Sequence, residues 1–330
     1  METFPTQFDN TLTAIEVNGK KRDRVIAAHM EIRELLEADK QLCALGVDTI
    51  LIGSYARHTG IYPGKDVDVF VKLAKLDTSA DPAAVFNAVK RVLTAKYGKR
   101  AEPQRRAVKV SFGGDGFSVD AVPAVKLGTR WALPNRDPDK WGNPDERWLE
   151  TDPEKMSTLT EQRNKSPRVG ERGAYVPSVK LMRQTRRHHV GDNKPGGLYF
   201  EILTYWAFET GSVKGASFAE IFASALGAVA TQLAGKEPLV NPVLGTPYEP
   251  APKDIDRRAA AATFDGLATK AEKALTVDQC AAAVLWREII GKNERGECFP
   301  LPPGCDATGK AISSIAGVSA RGSREAHGFG

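Results

Sequence analysis

Apolar positions along this chain recur with two periods, and the change from one to the other divides it in two. Leu12, Ile15, Val25, Ala28, Ile32, Leu35 and Leu36 fall mostly at helical intervals, which predicts a long helix over 7–38 that can break at Asn18-Gly19. Its basic middle, Lys20, Lys21, Arg22 and Arg24, reads as a solvated face. A strand follows over 47–52, then a sharp turn at Gly53-Ser54, a short polar helix-like segment, and a second strand over 66–73 after the Pro63-Gly64 turn. Residues 83–97 are helical again, opened by Asp81-Pro82, with Val85, Val89, Val92 and Leu93 on one side. Strands are expected over 106–112 and 117–125, joined through Gly113-Gly114-Asp115-Gly116.

Residues 130–170 lose any clear period and read as loop-rich, with Trp131, Trp141 and Trp148 fastening an irregular segment to the core or, as the sharper idea, stacking on a base. From Tyr175 the helical period returns and persists over 175–189, 197–210, 217–234, 254–274 and 276–291, interrupted by Asn241-Pro242 and Thr246-Pro247. A Pro, Gly and Cys coda covers 292–305, and 306–330 is small and polar without periodicity, as a flexible tail would be. The expected organisation is therefore a mixed α/β lobe over 1–170, a helical lobe over 171–305 and a tail over 306–330.

Composition changes this picture little: 330 residues with 42% hydrophobic and 26% charged side chains describe an ordinary globular protein with ample core. The formal net charge of +5 suits a polyanionic ligand without requiring a long nucleic acid. Cys43, Cys280, Cys298 and Cys305 form no C-x-x-C pair and no zinc spacing, so reduced thiols are expected. Neither a signal segment nor a run of the ~18 apolar residues needed to span a bilayer is present, which favours the cytoplasm and no membrane partner.

The candidate chemistry gathers in LIGSYARHTGIYPGKDVDVFVKL, residues 51–73. Side chains alternate along a strand, so Asp66, Asp68 and Phe70 share one face while Val67, Val69 and Val71 share the other. Two neighbouring carboxylates repel unless a cation lies between them, and a hard, oxygen-seeking ion such as Mg²⁺ is the natural occupant. The Gly53-Ser54 turn offers backbone N–H groups and a hydroxyl to an anion. In FSVDAVPAV, Asp120 is a charge inside an apolar strand, costly unless paired or metal-bound. It is either the third ligand or the partner of Arg105, Arg106 or Lys109. Lys180, Arg183 and Arg187 fall at i, i+3 and i+7, on one helix face that could meet triphosphate oxygens.

GSYARHT followed by DVDVFV and then SVDAVP resembles the signature of polymerase-β-like nucleotidyltransferases. The later segments RWLETDPEKM, PSVKLMRQTRRHH and AAVLWREIIG with CFPLP narrow the likeness to the bacterial cGAS/DncV-like nucleotidyltransferases, over roughly residues 10–303. The resemblance implies an α/β plus α architecture: a nucleotidyltransferase lobe with a mixed sheet, a helical C-terminal lobe, and an active-site cleft between them. It implies that Asp66, Asp68 and Asp120 hold two Mg²⁺ (or Mn²⁺) ions, and that Gly53, Ser54 and Lys180 bind nucleotide; Arg183 is expected to join them from its place on the basic helix face. Where many members carry a Lys-Ser-Tyr-like turn, this chain reads Lys194-Pro195-Gly196-Gly197-Leu198-Tyr199, without that hydroxyl. The implied activity is synthesis of a cyclic di- or trinucleotide from NTPs, ATP among them, as an anti-phage signal. The implied partners leave room for a nucleic-acid activator and for a conjugating or regulatory protein at the tail ending in Gly330. Two rival readings stand beside it. One is transfer of nucleotides to an RNA 3′ end or a small hydroxyl acceptor. The other is a non-catalytic nucleotide sensor, against which the retention of three repelling carboxylates argues.

Overall fold

A computed structural model describes residues 3–312 apart from Asn18 and Lys65. The expected tail over 306–330, Gly330 included, therefore lies largely outside the described residues. Its first residues take a defined turn instead: Asp306 Oδ1 accepts from Thr308 N and Lys310 N at 2.8 and 2.9 Å.

The first lobe is built on seven strands. These are β1 (Val47–Ile52), β2 (Asp66–Asp77), β3 (Ala101–Gln104), β4 (Ala107–Phe112), β5 (Phe117–Leu127), β6 (Arg130–Pro134) and β7 (Trp148–Thr151). The main path runs β1-β2-β5-β4-β3, with β6 and then β7 added along the far end of β5. Among these strands only β2 and β5 pair in parallel; the others are antiparallel, so the sheet is mixed. The helices of the chain are α1 (Pro5–Ile15), α2 (Gly19–Glu37), α3 (Lys40–Ala44), α4 (Gly53–Ala56), α5 (Pro82–Tyr97), α6 (Pro153–Arg163), α7 (Tyr175–Val190), α8 (Gly197–Glu209), α9 (Phe218–Ala234), α10 (Asp254–Ala274) and α11 (Gln279–Ile290).

The alternation along β2 decides which face is covered. Val67, Val69, Val71 and Leu73 pack with Val25, Ile32 and Leu36 of α2 and Val85, Val89 and Leu93 of α5. Phe70 lies on the other face with Val122, Ala124, Trp131 and Leu133, under a smaller core. Toward the start of the strand that second face is left to Asp66 and Asp68.

The stretch expected to be loop-rich contains β6, β7 and α6. Its tryptophans are fasteners: Trp141 Nε1 donates to Asn135 O (2.8 Å) and Trp148 Nε1 to Ala80 O (3.2 Å), while Trp131 is buried edge-on to Phe70. Such short strands, studded with Pro and Trp, carry too few residues to declare a period.

The helical stretch over 7–38 divides just before Gly19, where the sequence permits a break, into two helices with different allegiances. α2 covers the sheet, whereas α1 inserts Phe8, Leu12 and Ile15, with Phe4 just before it, into the core of the helical lobe, where Phe8 meets Trp286 and Phe299 edge-on. α1 thus packs with the helices although it precedes the sheet in the chain. The helical lobe is otherwise as its periodicity predicts, with α7 to α11 packed around Tyr175, Phe200, Phe222, Phe264 and Trp286. Among the described residues no helix is long and apolar enough to cross a membrane.

The expectation of four reduced thiols is corrected: Cys280 and Cys305 form a disulfide, with Cα atoms 5.1 Å apart, while Cys43 and Cys298 are free. The pairing is made when the coda folds back along α11, which spacing in the sequence does not reveal. The bond closes a loop of sequence separation 25. Serine at Cys280 should therefore lower stability by about 3 kcal/mol, chiefly through the greater freedom of the unfolded chain. Chemical denaturation reads this directly, and an unmoved midpoint would show that the coda is held without the bond.

Candidate active site

Strand register brings the acidic residues together. Asp68 pairs with Asp120 and Asp66 with Ser118 across the parallel β2/β5 ladder, so all four side chains lie on the same face. Asp66, Asp68 and Asp120 line one cavity of about 510 Å³. Its rim is shared with Ser54, Tyr55 and Gly60 from the first lobe and Arg183, Arg186 and Arg187 from α7. The cavity therefore lies between the lobes, acidic on the sheet side and of mixed charge on the helical side, where Asp192 and Glu294 accompany the three arginines.

Burial and mutual repulsion set the electrostatics. Burial first, then the charges of Asp120 and Asp66, push Asp68 up to about 6, against the pull of Arg57 and Arg106. Burial likewise raises Asp120, with Lys109 opposing and Asp66 adding to the rise. Asp66 is engaged through one oxygen: Ser118 Oγ donates to its Oδ1 at 2.8 Å, and Lys109 Nζ lies 3.5 Å from the same oxygen. Lys109, one of the candidate partners for Asp120, thus pairs with Asp66. Among the described residues no three His, Cys, Asp or Glu side chains are drawn into a closed cluster. The donor set nonetheless suits a hard cation: three carboxylates face a common space, and Asp120 Oδ1 is buried with no hydrogen-bond partner among the described residues.

The Gly53-Ser54 turn is placed against this cluster. Gly53 has φ +72°, and a Cβ there would fall 2.2 Å from Asp68 Oδ2, so only glycine permits the approach. Ser54 O accepts from Thr59 N (2.9 Å) and Gly60 N (3.0 Å), which curls the following loop back onto the turn. Arg183 lines the cavity as well. Lys180 does not: its ammonium is bound to Glu16, in the link between α1 and α2, and it stands off the cavity wall. The structure thus gathers Asp66, Asp68, Asp120, Ser54 and Arg183, with Gly53 behind them, and sets Lys180 apart.

Helical periodicity passes over two further residues. Glu201 of α8 is fully buried and accepts from Arg57 through both oxygens, Nε to Oε1 at 2.7 Å and Nη2 to Oε2 at 3.2 Å. Arg57 follows α4 directly and is itself buried. The signal was present: a lone acid in GLYFEILTYWAF is as costly as Asp120 in its strand, and predicts a buried cationic partner.

Residues 1–164 match the model of the Second Messenger Oligonucleotide or Dinucleotide Synthetase domain. A cyclic AMP-AMP-AMP synthase from an Acinetobacter species is 29% identical over 213 residues, 61% of this chain and 57% of its own length. The chain thus spans little more than half the length of that curated relative. Among solved structures, CdnC of E. coli MS115-1 with ATP superposes with a TM-score of 0.66 at 16% identity, covering 90% of this chain and 98% of that one. CdnG of Bradyrhizobium diazoefficiens with GTP gives 0.67 at 13% identity, covering 84% and 93%. These superpositions establish the fold on both lobes, and the domain match lies on the lobe that carries the three aspartates. With fold, domain match and relatives in agreement, residues 1–164 carry a Second Messenger Oligonucleotide or Dinucleotide Synthetase domain, in a chain with the fold of the cGAS/DncV-like nucleotidyltransferases.

Proposed function

We propose that this chain joins nucleoside triphosphates into a cyclic di- or trinucleotide that serves as a signal in antiviral defence, with ATP among its substrates. The observation that carries the reading is the parallel pairing of Asp68 with Asp120, which sets two desolvated carboxylates, with Asp66 beside them, opposite the arginines of α7 in one cavity. Asp66, Asp68 and Asp120 would hold two divalent ions, Mg²⁺ or Mn²⁺, which supply Lewis-acid polarisation of the attacking hydroxyl and charge neutralisation on the departing pyrophosphate. The remaining chemistry belongs to the protein. A ribose hydroxyl oxygen forms a bond to the α-phosphorus, the bond from that phosphorus to pyrophosphate breaks, and the hydroxyl proton passes to Asp120, whose buried Oδ1 has no hydrogen-bond partner among the described residues. Ser54 donates to a donor phosphate oxygen, Gly53 lets that turn approach Asp68, and Arg183 offsets the negative charge leaving with pyrophosphate. Lys180 joins them only after releasing Glu16. The cyclic AMP-AMP-AMP synthase supports an adenine-containing product. The E. coli relative has also been solved as a CdnC:HORMA-deltaN complex, which supports a protein regulator here.

The test is product analysis. The full chain with the four NTPs and Mg²⁺ should yield a cyclic oligonucleotide by mass spectrometry without any added acceptor, and EDTA should stop it. Product that forms only when RNA or another hydroxyl acceptor is supplied would replace this reading with acceptor-dependent transfer.

A further inference from the structure

Behind the cavity a single carboxylate joins the two lobes. Glu201 enters from α8 and takes donors from three places: Arg57 through both oxygens, Arg183 Nη1 at 3.1 Å, and Thr59 Oγ1 at 3.3 Å from each oxygen. Each partner is tied to the cavity. Arg57 N donates to Gly53 O (3.3 Å) and Thr59 N to Ser54 O, so Arg57 and Thr59 fasten the rear of the Gly53-Ser54 turn. Arg183 lines the cavity wall on the opposite side.

The geometry sets an order of dependence. A two-pronged Arg57 contact fixes the plane of the carboxylate. That plane in turn draws onto Oε2 the Nη1 of Arg183, a residue that lines the cavity from the helical side. Charge points the same way: two guanidiniums face one carboxylate, so the three groups together carry one net positive charge beside the cavity.

We propose that Glu201 is a positioning residue for the nucleoside triphosphate: it holds Arg183 and the Gly53-Ser54 turn at a fixed separation matched to the phosphate chain of one substrate. The inference rests on the nucleotide-binding reading of the cavity given above. Glu201 never touches substrate. It sets where the phosphate-binding groups of the two lobes stand before substrate arrives, so that little ordering is left to be done at binding.

The experiment is titration calorimetry of the full chain with ATP and with AMP in Mg²⁺, on wild type, Glu201→Asp, Arg183→Gln and the double variant. Glu201→Asp keeps the charge and withdraws the carboxylate by one methylene. It should weaken ATP about tenfold and AMP less than about twofold. In the Arg183→Gln background the same change should cost ATP clearly less than it does alone, because one of the two groups being positioned is gone and only the Gly53-Ser54 turn is left to misplace. Arg57→Lys, which keeps its charge but surrenders the two-pronged grip, gives an independent second route to the same phosphate-selective loss. Equal weakening of ATP and AMP in both Glu201→Asp and Arg57→Lys, or an undiminished effect of Glu201→Asp beside Arg183→Gln, overturns the proposal. Wild type that binds ATP no more tightly than AMP would instead overturn the nucleotide-binding reading on which it rests.

Discussion

Asparagine at position 68 should cut product formation by about a thousandfold or more while making the protein, in EDTA at neutral pH, more stable than wild type. The loss follows from removing one of the two paired carboxylates on which the proposed divalent-ion chemistry rests. The gain follows from the cost of that carboxylate's charge. Asp68 rises from its ordinary 3.8 to about 6 on folding, because it is buried and repelled by Asp120 and Asp66. A carboxyl whose pKa is raised in the folded state contributes stability fully below its unfolded value and loses that contribution as pH climbs through the folded one. The window is therefore about pH 4 to 6. Above it the ionised group costs up to about 3 kcal/mol, since each tenfold change in proton affinity is worth about 1.4 kcal/mol. Asparagine removes that cost without changing shape, so the difference between the two proteins should be largest near pH 7.5 and vanish near pH 4 (roughly). Thermal or denaturant melts across that range, beside product assays with Mg²⁺, check both halves. A variant that is inactive and also less stable throughout would show that Asp68 serves the fold rather than a charge-gathering site.

Alanine at Gly53 should reduce activity by about a hundredfold or more, through displacement of the carboxylate behind it. The added methyl would start 2.2 Å from Asp68 Oδ2, in a backbone conformation of φ +72° that side chains rarely adopt. Either the turn retreats or Asp68 swings away; a shift of about 1 Å in such a constellation is enough for a loss of this size. The left-handed backbone adds about 1 to 2 kcal/mol of strain. Circular dichroism should show a folded protein, and NTP turnover should be lost. Activity within about threefold of wild type would mean that the spacing between turn and carboxylate carries no catalytic weight.

Much of this was legible in the sequence because it is written with short-range rules. Val67, Val69 and Val71 alternate with Asp66, Asp68 and Phe70, and the structure divides them between faces accordingly. The helices from α7 to α11 repeat apolar residues often enough to declare themselves. What was not legible depends on partners distant in the chain. Nothing within residues 7–38 says that Phe8 belongs with Trp286. Nor does spacing reveal that Cys280 meets Cys305, or that Lys180 turns to Glu16. β6 and β7 escaped because segments of five and four residues are shorter than the window over which a period can be recognised. Glu201 lies between these cases: its cost was visible locally, while the identity of Arg57, 144 positions earlier, was not.

The placement of α1 limits what the two lobes can do independently. Because α1 packs in the helical lobe before the chain leaves for the sheet and later returns, it bridges the gap twice, once between Ile15 and Gly19 and once after Arg163. Two bridges act as a pair of straps that resist free rotation of one half against the other. The same stitching makes truncation costly: a fragment started at residue 171 would lack Phe4, Phe8, Leu12 and Ile15 and present their empty sockets to water, so the helical half cannot be excised intact.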